Sequence, residues 1–144
     1  MTRKLVIAAI AAAFVGSVSA PAFANSVFID QFGFGHSAGG VQSGHHNSIG
    51  VYQNGVWNSS VSRQYGNHNT AAVGQDGFDN YADTWQQGNG NQAGVGQFGS
   101  SHNAILTQDG NGNVAAGVQV GHGCDADIAQ TGGGNVAAFV QTCP

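Results

Sequence analysis

The sequence predicts an all-β fold, a β-solenoid of 22-residue strand–turn–strand coils. Three observations predict it: a strict repeat, a period-2 alternation inside each repeat, and a glycine in every linker. Eleven glutamines stand eleven residues apart without a slip: Gln31, Gln42, Gln53, Gln64, Gln75, Gln86, Gln97, Gln108, Gln119, Gln130 and Gln141. Two residues after each of the first ten comes a glycine: Gly33, Gly44, Gly55, Gly66, Gly77, Gly88, Gly99, Gly110, Gly121 and Gly132. Six residues before each glutamine is a third column, with Asn25, Asn47, Asn58, Asn69, Asn80, Asn91, Asn113 and Asn135 in eight of eleven places and His36, His102 and Cys124 in the others. Two residues further on a fourth column is mostly alanine, from Ala71 to Ala137, with Val27, Ala38, Ile49 and Ser60 before it. The unit is N-x-A-x3-Q-x-G-x2, and a short strict period makes each repeat one structural unit stacked on copies of itself.

Residues 1–24 stand outside the repeat. Arg3 and Lys4 form a positive start, Leu5 to Val15 an apolar run, and Ala22-Phe23-Ala24 an A-x-A cleavage site. This pattern reads as a secretory signal peptide, and the run is too short to span a bilayer. The cut falls before Asn25, the first residue of the first repeat, so the expected domains are a signal at 1–24 and a repeat domain at 25–144. The mature chain has no second apolar segment and hence no expected transmembrane segment.

Within each repeat the residues alternate. Asn69, Ala71, Val73 and Gln75 share one face and Thr70, Ala72 and Gly74 the other. Ile29, Val51, Val73, Val95, Leu106, Ile128 and Phe139 fall in one column, interrupted by Gly40, Ser62, Thr84 and Gly117. This predicts eleven seven-residue strands, Asn25–Gln31 to Asn135–Gln141, joined by four-residue turns. Asn54-Gly55, Asp76-Gly77 and Asp109-Gly110 supply the positive φ of tight turns, and a glycine in every repeat excludes a helix. An antiparallel meander would leave both faces too thin to bury a core. A solenoid puts consecutive strands on opposite walls, giving two parallel sheets about 10 Å apart whose coils rise by about 4.8 Å.

Stacking accounts for the polar columns. A buried amide is costly unless paired, and a parallel stack repeats the same amide one coil above, so each donates to one neighbour and accepts from the other. The alternative, that Asn and Gln are solvent-facing turn formers, does not explain why they keep the parity of the apolar column. The ladders lack partners only at their ends. No capping helix precedes the first repeat and only Thr142-Cys143-Pro144 follows the last, so the ends are expected to add further copies.

Composition narrows the function. Residues 25–144 hold one cation, Arg63, and seven aspartates, a net charge of 1 − 7 = −6 with His neutral. That excludes nucleic acid and electrostatic docking on anionic lipid. The low content of large aliphatics is that of a disordered chain, but disorder does not keep polar residues in register. Catalysis is not expected, since no nucleophile–base pair or cofactor loop occurs. No metal is expected either, because His36, His45, His46, His68, His102 and His122 show no ligand spacing. The aspartates lie in turns or at outward positions and read as gatekeepers against premature stacking.

The unit Q-x-G-x2-N-x-A-x3-Q, carried by Gln53-Asn54-Gly55-Val56-Trp57-Asn58 and Asn69-Thr70-Ala71-Ala72-Val73-Gly74-Gln75, resembles the curlin repeat of curli, the secreted functional amyloid of bacterial biofilms. The resemblance covers all of 25–144. It implies an amyloid-forming structural subunit of extracellular fibres, exported through an outer-membrane secretion pore and polymerised on a nucleator subunit. The regular, charge-poor repeats resemble the major subunit more than the nucleator. Two departures are visible: no Gly/Asn-rich export segment precedes the first repeat, and the family's alternation of Ser and Asn at strand starts is blurred. The competing reading is a monomeric secreted solenoid that binds glycan, ice or a protein surface. The mixed outward positions Thr70, Tyr81, Gln92, Asn103 and Val114 speak against an ice-binding array. Cys124 and Cys143 are the only cysteines; Cys143 is expected in the turn after the last strand, where a disulfide to Cys124 is feasible, with free thiols or intermolecular links as the alternatives.

Overall fold

Each repeat forms one strand, and the alternation of inward and outward side chains decides which face each strand buries. The computed structural model describes residues 24–144, so the signal expected at 1–24 lies, apart from Ala24, outside the described residues. The strands are β1 Ser26–Phe34, β2 Ser37–Ser43, β3 Ser48–Val56, β4 Ser59–Asn67, β5 Thr70–Phe78, β6 Tyr81–Asn89, β7 Gln92–Ser100, β8 Asn103–Asn111, β9 Val114–His122, β10 Asp125–Gly133 and β11 Val136–Cys143. Odd strands form a six-stranded sheet in the order β1-β3-β5-β7-β9-β11 and even strands a five-stranded sheet, β10-β8-β6-β4-β2. Pairing is parallel with each residue on the one 22 positions later, as in Gln53↔Gln75 and Gly55↔Gly77. The result is the expected solenoid of two stacked parallel sheets.

The strand boundaries differ from expectation. Most strands are nine residues long, as β5 is, rather than seven. They begin one residue after the Asn and run three past the Gln. The ladder therefore continues through what reads as a turn in sequence, and only two residues, such as Gly35–His36, separate one strand from the next, except between β2 and β3, where four do. Cys143 likewise ends β11, paired with Gly121, instead of lying in a turn beyond it.

The interior is thin and half polar. Ile49, Val51, Ala71, Val73, Ala82, Ala93, Val95, Ala104, Leu106 and Ala115 are its buried apolar part. Small residues on one wall sit against bulk nearby: a Cβ on Gly40 would lie 3.2 Å from Ile49 Cδ1, and the Phe139 ring occupies the space beside Gly117. Ser62 and Thr84, which interrupt the apolar column, pair with each other, Thr84 Oγ1 donating to Ser62 Oγ at 2.9 Å. Outside, Arg63 on β4 meets Asp83 on β6 at 3.0 Å, a surface pair of small energetic weight.

Candidate functional site: amide ladders and corners

The glutamines form two continuous ladders. On the odd wall Gln31 Nε2 donates to Gln53 Oε1 at 2.7 Å, Gln53 to Gln75 at 2.7 Å, Gln75 to Gln97 at 2.8 Å, Gln97 to Gln119 at 2.9 Å and Gln119 to Gln141 at 3.1 Å. On the even wall Gln42, Gln64, Gln86, Gln108 and Gln130 are joined the same way at 2.8–2.9 Å. The second Nε2 proton goes to a backbone carbonyl on the facing strand, as in Gln75 to Ser59 O at 2.9 Å and Gln97 to Tyr81 O at 2.8 Å. That second bond fixes the amide orientation: a flipped amide would set two oxygens face to face. Every ladder bond therefore points from lower to higher residue number.

The Asn column is paired differently from the amide-on-amide stack expected. Each Oδ1 accepts the backbone N–H of the next member one coil up, as in Asn91 N to Asn69 Oδ1 at 2.9 Å and Asn113 N to Asn91 Oδ1 at 3.0 Å. Each Nδ2 mainly reaches a turn-glycine carbonyl nineteen residues on, as in Asn69 to Gly88 O and Asn91 to Gly110 O, both 2.8 Å. Asn80 and Asn135 add a direct amide contact, at 3.1 Å to Asn58 and Asn113. The column thus pins backbone at the corners, where the ladder must bend.

His36 and His102 fit this column because an imidazole supplies the same acceptor and donor. His102 Nδ1 accepts Cys124 N–H at 3.1 Å while its Nε2 lies 3.2 Å from Phe98 O. His36 does the same with Asn58 N–H at 3.2 Å and Phe32 O at 2.9 Å. These bonds assign both rings the Nε2–H tautomer. His46 and His68 stack at 4.9 Å between corners. Among the described residues no group of three or more His, Cys, Asp or Glu could hold a metal ion.

Each corner holds two left-handed residues. The ten turn glycines have φ between +102° and +137°. A Cβ on any of the nine from Gly33 to Gly121 would overlap a carbonyl oxygen of the coil above, so only glycine fits. Two residues later is a second column not anticipated from sequence: Gly35, His46, Trp57, His68, Asp79, Gly90, Ser101, Gly112, Gly123 and Gly134, with φ between +54° and +73°. At Gly90, Gly112, Gly123 and Gly134 a Cβ would meet nothing within 4 Å, so side chains are admitted there. The available signal was the absence of β-branched residues from this column.

Cys124 and Cys143 are joined by a disulfide. Cys124 occupies the Asn column and Cys143 the turn-glycine column, so the bridge spans the same nineteen residues as the Asn-to-glycine hydrogen bond.

The two ends are complementary. Among the described residues no glutamine donates to Gln31 or Gln42, whose Oε1 atoms remain acceptors. At the other end Gln130 and Gln141 donate to Val114 O and Asp125 O and have no glutamine above them. The inward residues of β1 are also uncovered: Val27 is 52% and Ile29 42% exposed, against 1% for Ile49 and Val51 one coil up. No described helix is long and apolar enough to cross a membrane.

A search of curated proteins returns no match. The family model of the curlin associated repeat matches three times, at residues 24–52, 44–77 and 78–110. The matches run from 24 to 110, more than half of the chain, on the same residues that build the ladders and corners described above. The chain therefore belongs to the curlin repeat family.

Proposed function

We propose that this protein is a structural subunit of extracellular curli-type amyloid fibres, serving biofilm matrix and adhesion, and that it grows by head-to-tail stacking of solenoids. The observation that carries the reading is the fixed direction of the glutamine ladders. One end offers the acceptors of Gln31 and Gln42, the other the donors of Gln130 and Gln141. Joining unlike ends continues both ladders; joining like ends sets acceptor against acceptor. Such a heterologous contact does not close and generates a filament. Burial of Val27 and Ile29 adds an apolar contribution to the joint.

The leader at 1–24 fits export through the periplasm to the cell surface, by way of an outer-membrane secretion pore and a nucleator subunit, with the fibre itself as a homopolymer. The role is structural, with no enzymatic step and no cofactor. The test is thioflavin T fluorescence on residues 25–144 at several concentrations, with and without seed. A lag that shortens with concentration and vanishes on seeding is expected. Gln31→Ala and Gln141→Ala should slow elongation more than Ser59→Ala. Equal rates in the three variants would remove the argument from open ladders, and a persistent soluble monomer would favour the binding module.

A further inference from the structure

One corner of the β10–β11 end departs from the repeat at two columns at once. In the Asn column each side chain accepts the N–H of the residue one coil up: Asn113 Oδ1 takes Asn135 N–H at 3.0 Å, and His102 Nδ1 takes Cys124 N–H at 3.1 Å. Cys124 offers no such acceptor, because its sulfur is bonded to Cys143. In the glycine column a Cβ overlaps the carbonyl of the coil above wherever a coil is stacked. Cys143 is the first member of that column that is not glycine, and its backbone does not adopt the column's left-handed φ.

Both changes bear on the next copy. β10 lies half a coil below β11, so the first vacant position is above β10 and takes β1 of an added copy; its β2 then takes the position above β11. In that register the copy's Asn25 nitrogen, the α-amino group once the chain is cut before residue 25, arrives over Cys124 and finds no acceptor, and its Gly44 carbonyl arrives over Cys143, whose backbone lacks the left-handed φ of the glycine column. The opposite corner keeps Asn135 and Gly132, so the end is obstructed on one side.

We propose that the Cys124–Cys143 corner is a built-in brake on self-stacking: the β10–β11 end receives a second copy of this chain in register, but slowly. The inference rests on the head-to-tail reading above. A brake at this place leaves the coil's own ladders intact: Gln119 still donates to Gln141, and His102 Nδ1 still accepts Cys124 N–H.

The test compares seeded elongation of three proteins spanning 25–144: the oxidised natural chain, C124N/C143G, which restores both columns, and C124A/C143A, which removes the bridge but restores neither. C124N/C143G should elongate about fivefold faster or more, the factor carried by about one hydrogen bond per joint. C124A/C143A should stay within about twofold of the natural chain, having neither the acceptor nor the glycine. The proposal is overturned if C124N/C143G is no faster, if C124A/C143A matches it, or if C124N/C143G fails to acquire β circular dichroism on seeding. Absence of seeded growth in all three would instead overturn the head-to-tail reading, and this proposal with it.

Discussion

The two glycine columns make opposite demands that one pair of substitutions can separate. Gly88 has φ +110° and Gly90 φ +68°, two residues apart on the same corner. A Cβ at Gly88 would overlap the Gly110 carbonyl, whereas at Gly90 it would meet nothing within 4 Å. Gly88→Ala forces a side chain into a φ well beyond the left-handed well, at about 1–3 kcal/mol. It also pushes two coils apart, loosening two bonds, Asn69 Nδ2 to Gly88 O and Asn91 Nδ2 to Gly110 O, both 2.8 Å, at about 1 kcal/mol each. The sum is about 3–5 kcal/mol. Gly90→Ala costs about 1–2 kcal/mol for the left-handed residue, offset by about 0.4–1 kcal/mol from a stiffer unfolded chain. The assay is the concentration left soluble when seeded assembly reaches plateau, since its ratio to the natural chain gives the free-energy change. Gly88→Ala should raise it roughly a hundredfold or more, and Gly90→Ala by no more than about tenfold. Equal effects would refute the assignment of close backbone approach to the first column alone.

Three further outcomes follow from the polar columns. Gln75→Leu keeps the side-chain volume but strands the Ser59 and Gln97 acceptors and one Gln53 proton in a buried site. It should cost about 2–4 kcal/mol in the same plateau measurement. His102→Asn restores the repeat residue and should stay within about 1 kcal/mol of the natural chain. His102→Ala, by contrast, leaves Cys124 N–H and Phe98 O unpaired and should cost about 1–3 kcal/mol by the same plateau concentration.

Much of this was legible in the residues because one period governs every level. The glutamine spacing and the parity of the apolar column are enough to place odd and even repeats on opposite walls, and the register Gln53↔Gln75 is the spacing itself. The strand ends were not legible. Glycine and Asn-Gly pairs read as turn signals from local chemistry, but the coil above holds the same backbone in ladder pairing through Gly55 and Val56. The second left-handed column escaped for a related reason: His46, Trp57, His68, Asp79 and Ser101 hide it from a search for glycine. The Asn pairing was not legible either, because an Asn side chain is short enough to reach backbone at its own corner, while Gln extends to its counterpart.

The polar interior explains why a chain with so thin an apolar core should hold a unique register at all. An apolar column such as Val51–Val73–Val95 gains from any overlap, because burial is non-directional. A ladder of amides gains only at full alignment: a slip of one residue along the strand would expose Gln75 and bury Asp76 beside the facing wall, exchanging paired amides for an unpaired charge. The same requirement acts at an open end. Val27 and Ile29 supply attraction without direction, and the acceptors of Gln31 and Gln42 accept only a partner whose amides arrive as donors. Apolar burial therefore sets how strongly two copies adhere, while the ladders set which ends meet and in what register. Exchanging Gln31 and Gln42 together for Leu should thus preserve association but lose alignment. Pelletable mass should persist while seeded thioflavin T growth falls, and ordered growth at the natural rate would show that apolar burial alone selects the register.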